Sequence, residues 1–181
     1  MSTIRQFILA AGILLAMAVT ISCSSDDGGG GLAYDSLYDS RDDKTYGAVV
    51  IGGKTWMQDN LSYNASGSQC SNDAVLCFRH GRSYDWVTAM KVCPIGWHLP
   101  NYEEFRALAN TLKEIIKDHG YRPSGFQMLD TGYYLWTSSE TENDDESFYW
   151  DMPFLGGGNI EDGSLRRGNK SELMGIRCVK D

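Results

Sequence analysis

The strongest structural signal in the chain is PNYEEFRALANTLKEIIKDHG, residues 100–120. Asn101 can cap a helix, and Glu104 follows at the spacing of a capping box. Gly120 suits the left-handed position just past a helix end. Apolar side chains recur between these ends at helical spacing, namely Phe105, Leu108, Ala109, Leu112, Ile115 and Ile116. The stretch therefore predicts an amphipathic helix that packs one stripe against a core.

The segments before this helix predict a β-hairpin and a shorter helix. Thr45–Ile51 is β-branched or aromatic at most positions, Gly52-Gly53 supplies a turn that tolerates positive φ, and Lys54–Met57 continues the strand pattern. Tyr84–Val92 has the pattern of a short helix. The hairpin and the helix place the start of the folded domain near residue 41.

The segments after the helix predict strands separated by loops. Tyr133–Ser138, Ser147–Met152 and Leu173–Val179 have strand patterns, while Glu140–Glu146 forms an acidic loop and Gly156–Asn159 a glycine loop. The predicted fold class is α+β, with an N-terminal hairpin, two helices and an antiparallel, loop-rich strand region.

The N-terminus has the pattern of an export signal. Arg5 precedes the apolar run Phe7–Val19, which is shorter than the roughly 20 residues of a membrane-spanning helix. Thr20–Cys23 places a small residue before a cysteine and resembles the lipobox of bacterial lipoproteins. The resemblance implies a signal peptide over residues 1–22 and acyl chains on Cys23, which would hold the protein on a lipid bilayer.

Residues 23–40 are predicted to form a flexible, lipidated tether, because the stretch begins with a run of small, polar and glycine residues. Asp26-Asp27, close behind Cys23, resembles the tag that sends lipoproteins of the Bacteroidetes to the cell surface. A simple solvated linker is the alternative. We expect the protein on the outer membrane, facing outward.

The charge of the chain limits the classes of partner that it can bind. Asp and Glu number 24 against 16 Lys and Arg, for a formal net charge of −8. Removal of residues 1–22, whose only charged side chain is Arg5, takes this to −9. Such a balance argues against nucleic acid as a partner, because phosphate binding needs clustered cations.

Four of the five cysteines remain once Cys23 is set aside. An exported protein meets an oxidising compartment, so two disulfides are expected, in one of three pairings. We favour Cys70–Cys77, which closes a tight polar loop, and Cys93–Cys178, which ties mid-chain to the C-terminal strand. A metal site is the weaker interpretation, because no Cys-x-x-Cys pair exists and the histidines are scattered.

Six segments in order resemble one family, the Fibrobacter succinogenes major paralogous domain (FISUMP), found on exported lipoproteins of Fibrobacteres and Bacteroidetes. The segments are Asp42–Tyr46, Ile51–Leu61, Gly81–Trp86, Cys93–Pro100, Leu135–Glu140 and Gly175–Asp181. The resemblance covers residues 41–181. Trp97–Pro100 and Gly175–Val179 are also distantly similar to elements of formylglycine-generating-enzyme-like proteins, which implies a C-type-lectin-like domain.

Aromatic side chains beside the acidic loop are the predicted ligand contacts. Aromatic faces stack on sugar rings while carboxylates accept from sugar hydroxyls. The residues singled out are Tyr133, Tyr134, Tyr149, Trp150, Asp144 and Asp145. Trp56, Trp97 and Trp136 are instead expected in the core. The acidic loop is interpreted as solvated, with Ca²⁺ binding as the alternative, and no metal or cofactor is assigned.

The sequence offers no catalytic constellation. The cysteines are expected to be paired, and His98 is interpreted as a structural residue that is hydrogen-bonded near the helix start. We therefore expect a non-enzymatic binding domain for extracellular polysaccharide or a cell-surface protein. A structural component of the cell envelope without a small ligand is the alternative.

Overall fold

The computed structural model describes residues 32–70, 77, 80–120, 133–152 and 164–181. These residues all belong to one unit, Leu32–Asp181. The signal segment 1–22, the lipid-attachment residue Cys23 and the glycine loop at 156–159 lie outside the described residues. Within the unit, both helices and strands are present, so the α+β class is confirmed.

The described elements alternate short strands with two helices. In chain order they are β1 (Tyr34–Asp39), β2 (Lys44–Ile51), β3 (Lys54–Met57), β4 (Ser68–Gln69), β5 (Ser83–Tyr84), α1 (Trp86–Val92), β6 (Trp97–His98), α2 (Tyr102–His119), β7 (Tyr133–Glu140), β8 (Glu146–Met152), β9 (Ser164–Asn169) and β10 (Val179–Lys180).

The predicted hairpin is confirmed and forms part of a first sheet with the strand order β1-β2-β3-β10-β6. Ala48 pairs with Met57, and Ile51 pairs with Lys54 across the turn. Gly52 and Gly53 have φ values of 60° and 77°. Such a turn needs positive φ at both central residues, which glycine adopts without steric cost.

The first sheet extends further toward the N-terminus than the sequence indicated. β1 pairs antiparallel with β2 from Tyr34↔Val49 to Asp39↔Lys44. The assignment of residues 23–40 to a flexible tether is therefore corrected from Tyr34 onward. A strand at a sheet edge is stabilised by pairing with its neighbour. The composition of the strand alone therefore does not predict it.

The predicted strand Leu173–Val179 is also corrected, since only Val179 lies in a regular strand, β10. The residues before β10 bond to a different element at almost every step. Tyr84 donates to the Met174 carbonyl, Trp136 to that of Gly175, and Leu61 to that of Ile176. This segment thus bonds to β5, to β7 and to the chain that follows β3, instead of pairing with one strand.

Helix α2 matches its prediction at both ends. The Asn101 side chain accepts from the Glu104 N–H, the Glu104 side chain accepts in return from the Asn101 N–H, and Gly120 adopts φ 69°. Phe105 and Leu108 are buried beneath the helix. They pack in a cluster with residues of the first sheet and of strands β7 and β8, namely Val49, Ile51, Trp56, Leu135, Trp150 and Val179.

A second core cluster occupies the other face of the first sheet. Tyr46 and Ala48 alternate along β2 with Val49 and Ile51, which belong to the α2 cluster. Alternate residues of a strand point to opposite faces, so the first sheet is covered on both sides. Trp56, Trp97 and Trp136 are buried, as the sequence predicted.

Both predicted disulfides are present. Cys70 and Cys77 have Cα atoms 5.3 Å apart, and Cys93 and Cys178 have Cα atoms 5.9 Å apart. The second bridge links residues separated by 85 positions. Closing so long a loop in the unfolded chain corresponds to about 4.6 kcal/mol of stabilisation in the chain-entropy model.

Candidate binding site

Strands β7, β8 and β9 form a second, antiparallel sheet whose faces differ in character. The register places Tyr134 opposite Asp151, Trp136 opposite Tyr149, and Tyr149 opposite Arg166. We call this side the tyrosine face. Its solvent-reaching residues are Tyr134, Tyr149, Asp151 and Arg166. The opposite side, the helix face, meets α2 and carries Leu135, Phe148, Trp150, Leu165 and Arg167.

Three aromatic rings on the tyrosine face form a row that runs from the core to the solvent. Trp136 is fully buried, and its indole N–H donates to the Tyr84 carbonyl over 2.9 Å. The Tyr149 ring stands edge-on to Trp136 at 6.2 Å, and Tyr134 stands edge-on to Tyr149 at 5.3 Å. Edge-to-face pairs at these distances are favourable. Tyr134, at 51% exposure, therefore presents a supported ring to solvent.

Gly168 makes room for the Tyr149 ring. A Cβ atom at Gly168 would lie 3.0 Å from Cδ1 and Cε1 of Tyr149, and equally close to Cε of Met174. A side chain at this position would force the neighbouring core atoms to shift by a few tenths of an ångström. The glycine in β9 thus allows the tyrosine to lie close against the sheet.

An ion pair flanks the tyrosines. Arg166 Nε lies 2.8 Å from Asp151 Oδ2, with 59% of the arginine side chain and 22% of the aspartate side chain exposed. Burial raises the pKa of Tyr149 above its usual value, so its hydroxyl stays protonated at neutral pH. The face therefore combines apolar ring surface with hydrogen-bond donors and acceptors.

The structure brings together only part of the predicted ligand set. Tyr134 and Tyr149 are in contact, whereas Trp150 lies on the helix face at 3% exposure, against Phe105. The expectation that Trp150 shares a surface with the tyrosines is thus corrected, because consecutive strand residues point to opposite faces. The Tyr133 side chain lies outside the described residues.

Asp144 and Asp145 lie at the tip of the β7–β8 hairpin, and Tyr134 lies near its open end. The Asp145 carbonyl accepts from the Lys170 N–H, and its own N–H donates to the Asn143 side chain. These carboxylates therefore do not border the tyrosine pair. Within the described ranges, no group of three or more His, Cys, Asp or Glu residues could hold a metal ion.

Two members of the tyrosine face were missed by the sequence analysis. Asp151 follows Tyr149 by two positions, so strand alternation alone could have placed it beside the tyrosine. Arg166 lies in β9, whose sequence SLRRGN lacks an apolar alternation and gave no strand signal.

His98 sits in a charge network at the start of α2. Its Nδ1 lies 2.6 Å from Asp181 Oδ1, and its Nε2 lies 3.1 Å from Glu104 Oε1. Lys54 Nζ lies 2.9 Å from the same Glu104 oxygen. Since both ring nitrogens face carboxylates, His98 has no nitrogen left to activate a nucleophile. The predicted hydrogen bonding of His98 near the helix start is confirmed.

Glu104 is the centre of this network. Burial favours its neutral form, but the Asn101 N–H, Lys54 and His98 together hold the pKa of Glu104 below its ordinary value. The carboxylate therefore caps α2 and pairs with β3 and β6 at once.

Arg177 is buried, with 2% exposure, in the segment that leads into β10. Its Nε donates to Asn60 Oδ1 over 2.7 Å, and the Asn60 amide donates to the His80 carbonyl over 2.9 Å. Burial lowers the pKa of Arg177 to about 10. This cation thus acts inside the fold and does not face a ligand.

Residues 49–123 match the family model of the Fibrobacter succinogenes major domain. This match supports the resemblance to that family over residues 49–123. The matched stretch runs from β2 through α2, while the motifs Leu135–Glu140 and Gly175–Asp181 lie beyond it. No curated protein and no solved structure matches the chain. In the described part of the chain, no helix has the length and apolarity needed to cross a membrane.

Proposed function

We propose that this chain is a lipid-anchored protein of the outer membrane whose domain is a non-catalytic binding module for extracellular polysaccharide. The tyrosine face is the proposed contact surface. The observation that carries the proposal is the half-exposed Tyr134, supported edge-on by Tyr149 at 5.3 Å beside the Arg166–Asp151 ion pair.

The chemistry of this surface suits a sugar ring. The apolar C–H face of a pyranose packs on an aromatic ring, and its hydroxyls need polar partners at the edge. Tyr134 offers the ring, and Asp151 and Arg166 offer an acceptor and a donor. The Arg166 side chain of this pair is 59% exposed, and surface ion pairs contribute little to stability, so Arg166 can exchange partners at low cost.

A C-type-lectin-like fold is part of the proposal. The two motifs that carry this resemblance meet in the first sheet, where Val179 of β10 pairs with His98 of β6. The Cys93–Cys178 bridge lies close by, since Cys178 belongs to the second motif and Cys93 precedes the first by four positions. The adjacency of the motifs supports one structural unit, and an experimental structure compared with known lectin folds would test it.

The anchor at Cys23 is supported by the order of Arg5, the apolar run and the small residue before the cysteine. We expect mass spectrometry of the processed N-terminal peptide to show a diacylglyceryl thioether and acyl chains on Cys23. Protease treatment of intact cells should remove the domain. An unmodified Cys23, or a chain that keeps residues 1–22, would contradict the anchor; protection of the domain would contradict only its outward position.

Binding is tested with the purified protein in detergent on a glycan array, followed by titration calorimetry of any glycan found. Tyr134→Ala should weaken binding about ten-fold, which equals about 1.4 kcal/mol. Tyr34→Ala is the matched control, since Tyr34 is exposed to a similar degree, 57%, but lies in the first sheet. An array without binding, or equal losses of glycan affinity in both variants, would contradict the proposal.

A further inference from the structure

A groove of about 350 Å³ lies between α2 and the helix face of the second sheet. Tyr102, Arg106 and Asn110 line it from the helix, four residues apart and therefore on one side. Trp150 and Leu165 line it from neighbouring strands. The groove is thus separate from the tyrosine face, which lies on the other side of the same sheet.

The floor and one wall of the groove are rigid aromatic surfaces. Trp150 packs on Phe105 with ring centres 4.9 Å apart, inside the α2 cluster. Tyr102 stands edge-on to Phe148 at 5.8 Å, and its backbone N–H donates to Ser139 Oγ. Ligand sites combine such apolar lining with a few placed polar groups.

The polar groups at the groove favour a negative charge. Arg106 lines it with 62% of its side chain exposed and, among the described residues, pairs with the similarly exposed Glu103 at 2.8 Å. Such surface pairs are worth about 0–1 kcal/mol, so a ligand carboxylate can replace Glu103. Arg167 is exposed on the same face of the sheet, 5.7 Å from the centre of the Phe148 ring, and lies outside the described lining of the groove. Glu146 is the acidic neighbour two positions before Phe148 on this face.

We propose that this groove binds a uronic acid residue, the carboxylate-bearing sugar unit of an anionic polysaccharide. Arg106 pairs with the carboxylate, and the Asn110 amide and Tyr102 hydroxyl bond to ring hydroxyls. The partly buried Leu165 and Ala109 supply the apolar contact. The volume is near the lower end of the range of about 300–1,000 Å³ for ligand pockets, which limits the occupant to a short piece of chain.

The inference rests on the proposed polysaccharide-binding function for the class of ligand, but not on the tyrosine face. It assigns the recognition of charge to a different surface. A net charge of −8 disfavours an anionic polymer over most of the surface, so binding of such a polymer depends on the local cation Arg106 in the groove.

The test uses the purified protein in detergent and titration calorimetry at low salt. The probes are an oligogalacturonate and its methyl-esterified form, which keeps the sugar rings but lacks the charge. We expect the acidic oligomer to bind at least ten-fold more tightly than the ester, and Arg106→Gln to remove this preference. Tyr134→Ala should keep the preference for the acidic oligomer over the ester, which separates this site from the tyrosine face.

Lys117→Gln is the matched control, because Lys117 is an exposed cation of the same helix in a similar ion pair, with Glu114. The proposal is overturned if the acidic oligomer does not bind, if the ester binds equally well, or if Lys117→Gln weakens binding as much as Arg106→Gln. Loss of array binding in Tyr134→Ala alone would bear on the tyrosine face only.

Discussion

Tyr149 and Trp150 are consecutive residues of β8, yet their rings belong to opposite sides of one sheet. Tyr149 stands edge-on to Tyr134 at 5.3 Å, and Trp150 packs on Phe105 at 4.9 Å. The second sheet therefore presents two chemically different surfaces. Substitutions on one side can be tested without altering the other.

Gly168→Ala should destabilise the protein by about 1–3 kcal/mol, because the new methyl group would meet the Tyr149 ring at 3.0 Å. Urea unfolding followed by fluorescence measures the change. The matched experiment repeats the substitution in a Tyr149→Leu background, where the ring is absent. A loss that is equally large in both backgrounds would show that Tyr149 is not the cause.

Glu104→Gln should make stability less dependent on acid pH. The pKa of Glu104 is lowered in the folded protein, so this carboxylate stabilises the fold above its unfolded pKa. The contribution disappears as the pH falls through the lower, folded pKa. Unfolding free energies from pH 7 down to acid should therefore differ between wild type and variant at pH 7 and converge in acid.

Glu114→Gln is the control for this pH series, since Glu114 is an exposed carboxylate of the same helix with 66% of its side chain accessible. Its pH profile should follow that of the wild type. A constant gap between wild type and Glu104→Gln at every pH would mean that the Glu104 charge is not what stabilises the helix start.

Removal of the Cys93–Cys178 bridge by paired alanine substitutions should cost more than removal of Cys70–Cys77. The chain-entropy model gives about 4.6 kcal/mol for the long loop and about 2.5 kcal/mol for the short one. Cys178 is also fully buried, so its replacement loses packing as well. Non-reducing urea titrations of both double variants give the order, and the reverse order would refute the assignment of the long bridge as the main cross-link.

Asn60→Leu should destabilise the fold by about 1–3 kcal/mol, because a buried cation loses a hydrogen-bond acceptor. Asn60 accepts from Arg177 and donates to the His80 carbonyl. The exposed Asn64 provides the comparison, and Asn64→Leu should change stability little. Thermal unfolding of the two variants measures the difference, and equal midpoints would show that Arg177 does not depend on Asn60.

Local signals in the sequence were sufficient for the parts of the fold that local interactions determine. The capping box of α2 and the Gly52-Gly53 turn act within a few residues, so their patterns can be interpreted without knowledge of distant partners. β1 differs, because its edge position depends on pairing with β2. The strand prediction for residues 173–178 was wrong for a related reason, since their backbone groups bond to several elements instead of one strand.

The site was predictable in part. The sequence singled out Tyr134 and Tyr149, which the structure brings into contact. It grouped Trp150 with them because closeness in the chain was given more weight than strand alternation, which separates the two residues. Arg166 could not be predicted as a site residue. It reaches the tyrosine face because β9 pairs with β8, and the polar sequence of β9 does not predict this pairing.

The location of β10 has a consequence for the order in which the domain can be completed. β10 lies between β3 and β6, and Val179 pairs with Trp56 on one side and His98 on the other. The middle of the first sheet therefore stays open until residues near 180 have been synthesised. Contacts between such distant parts of a chain form late and slowly. The proposed export would benefit from this delay, since a nascent chain whose first sheet is still open remains unfolded while it is threaded through a membrane.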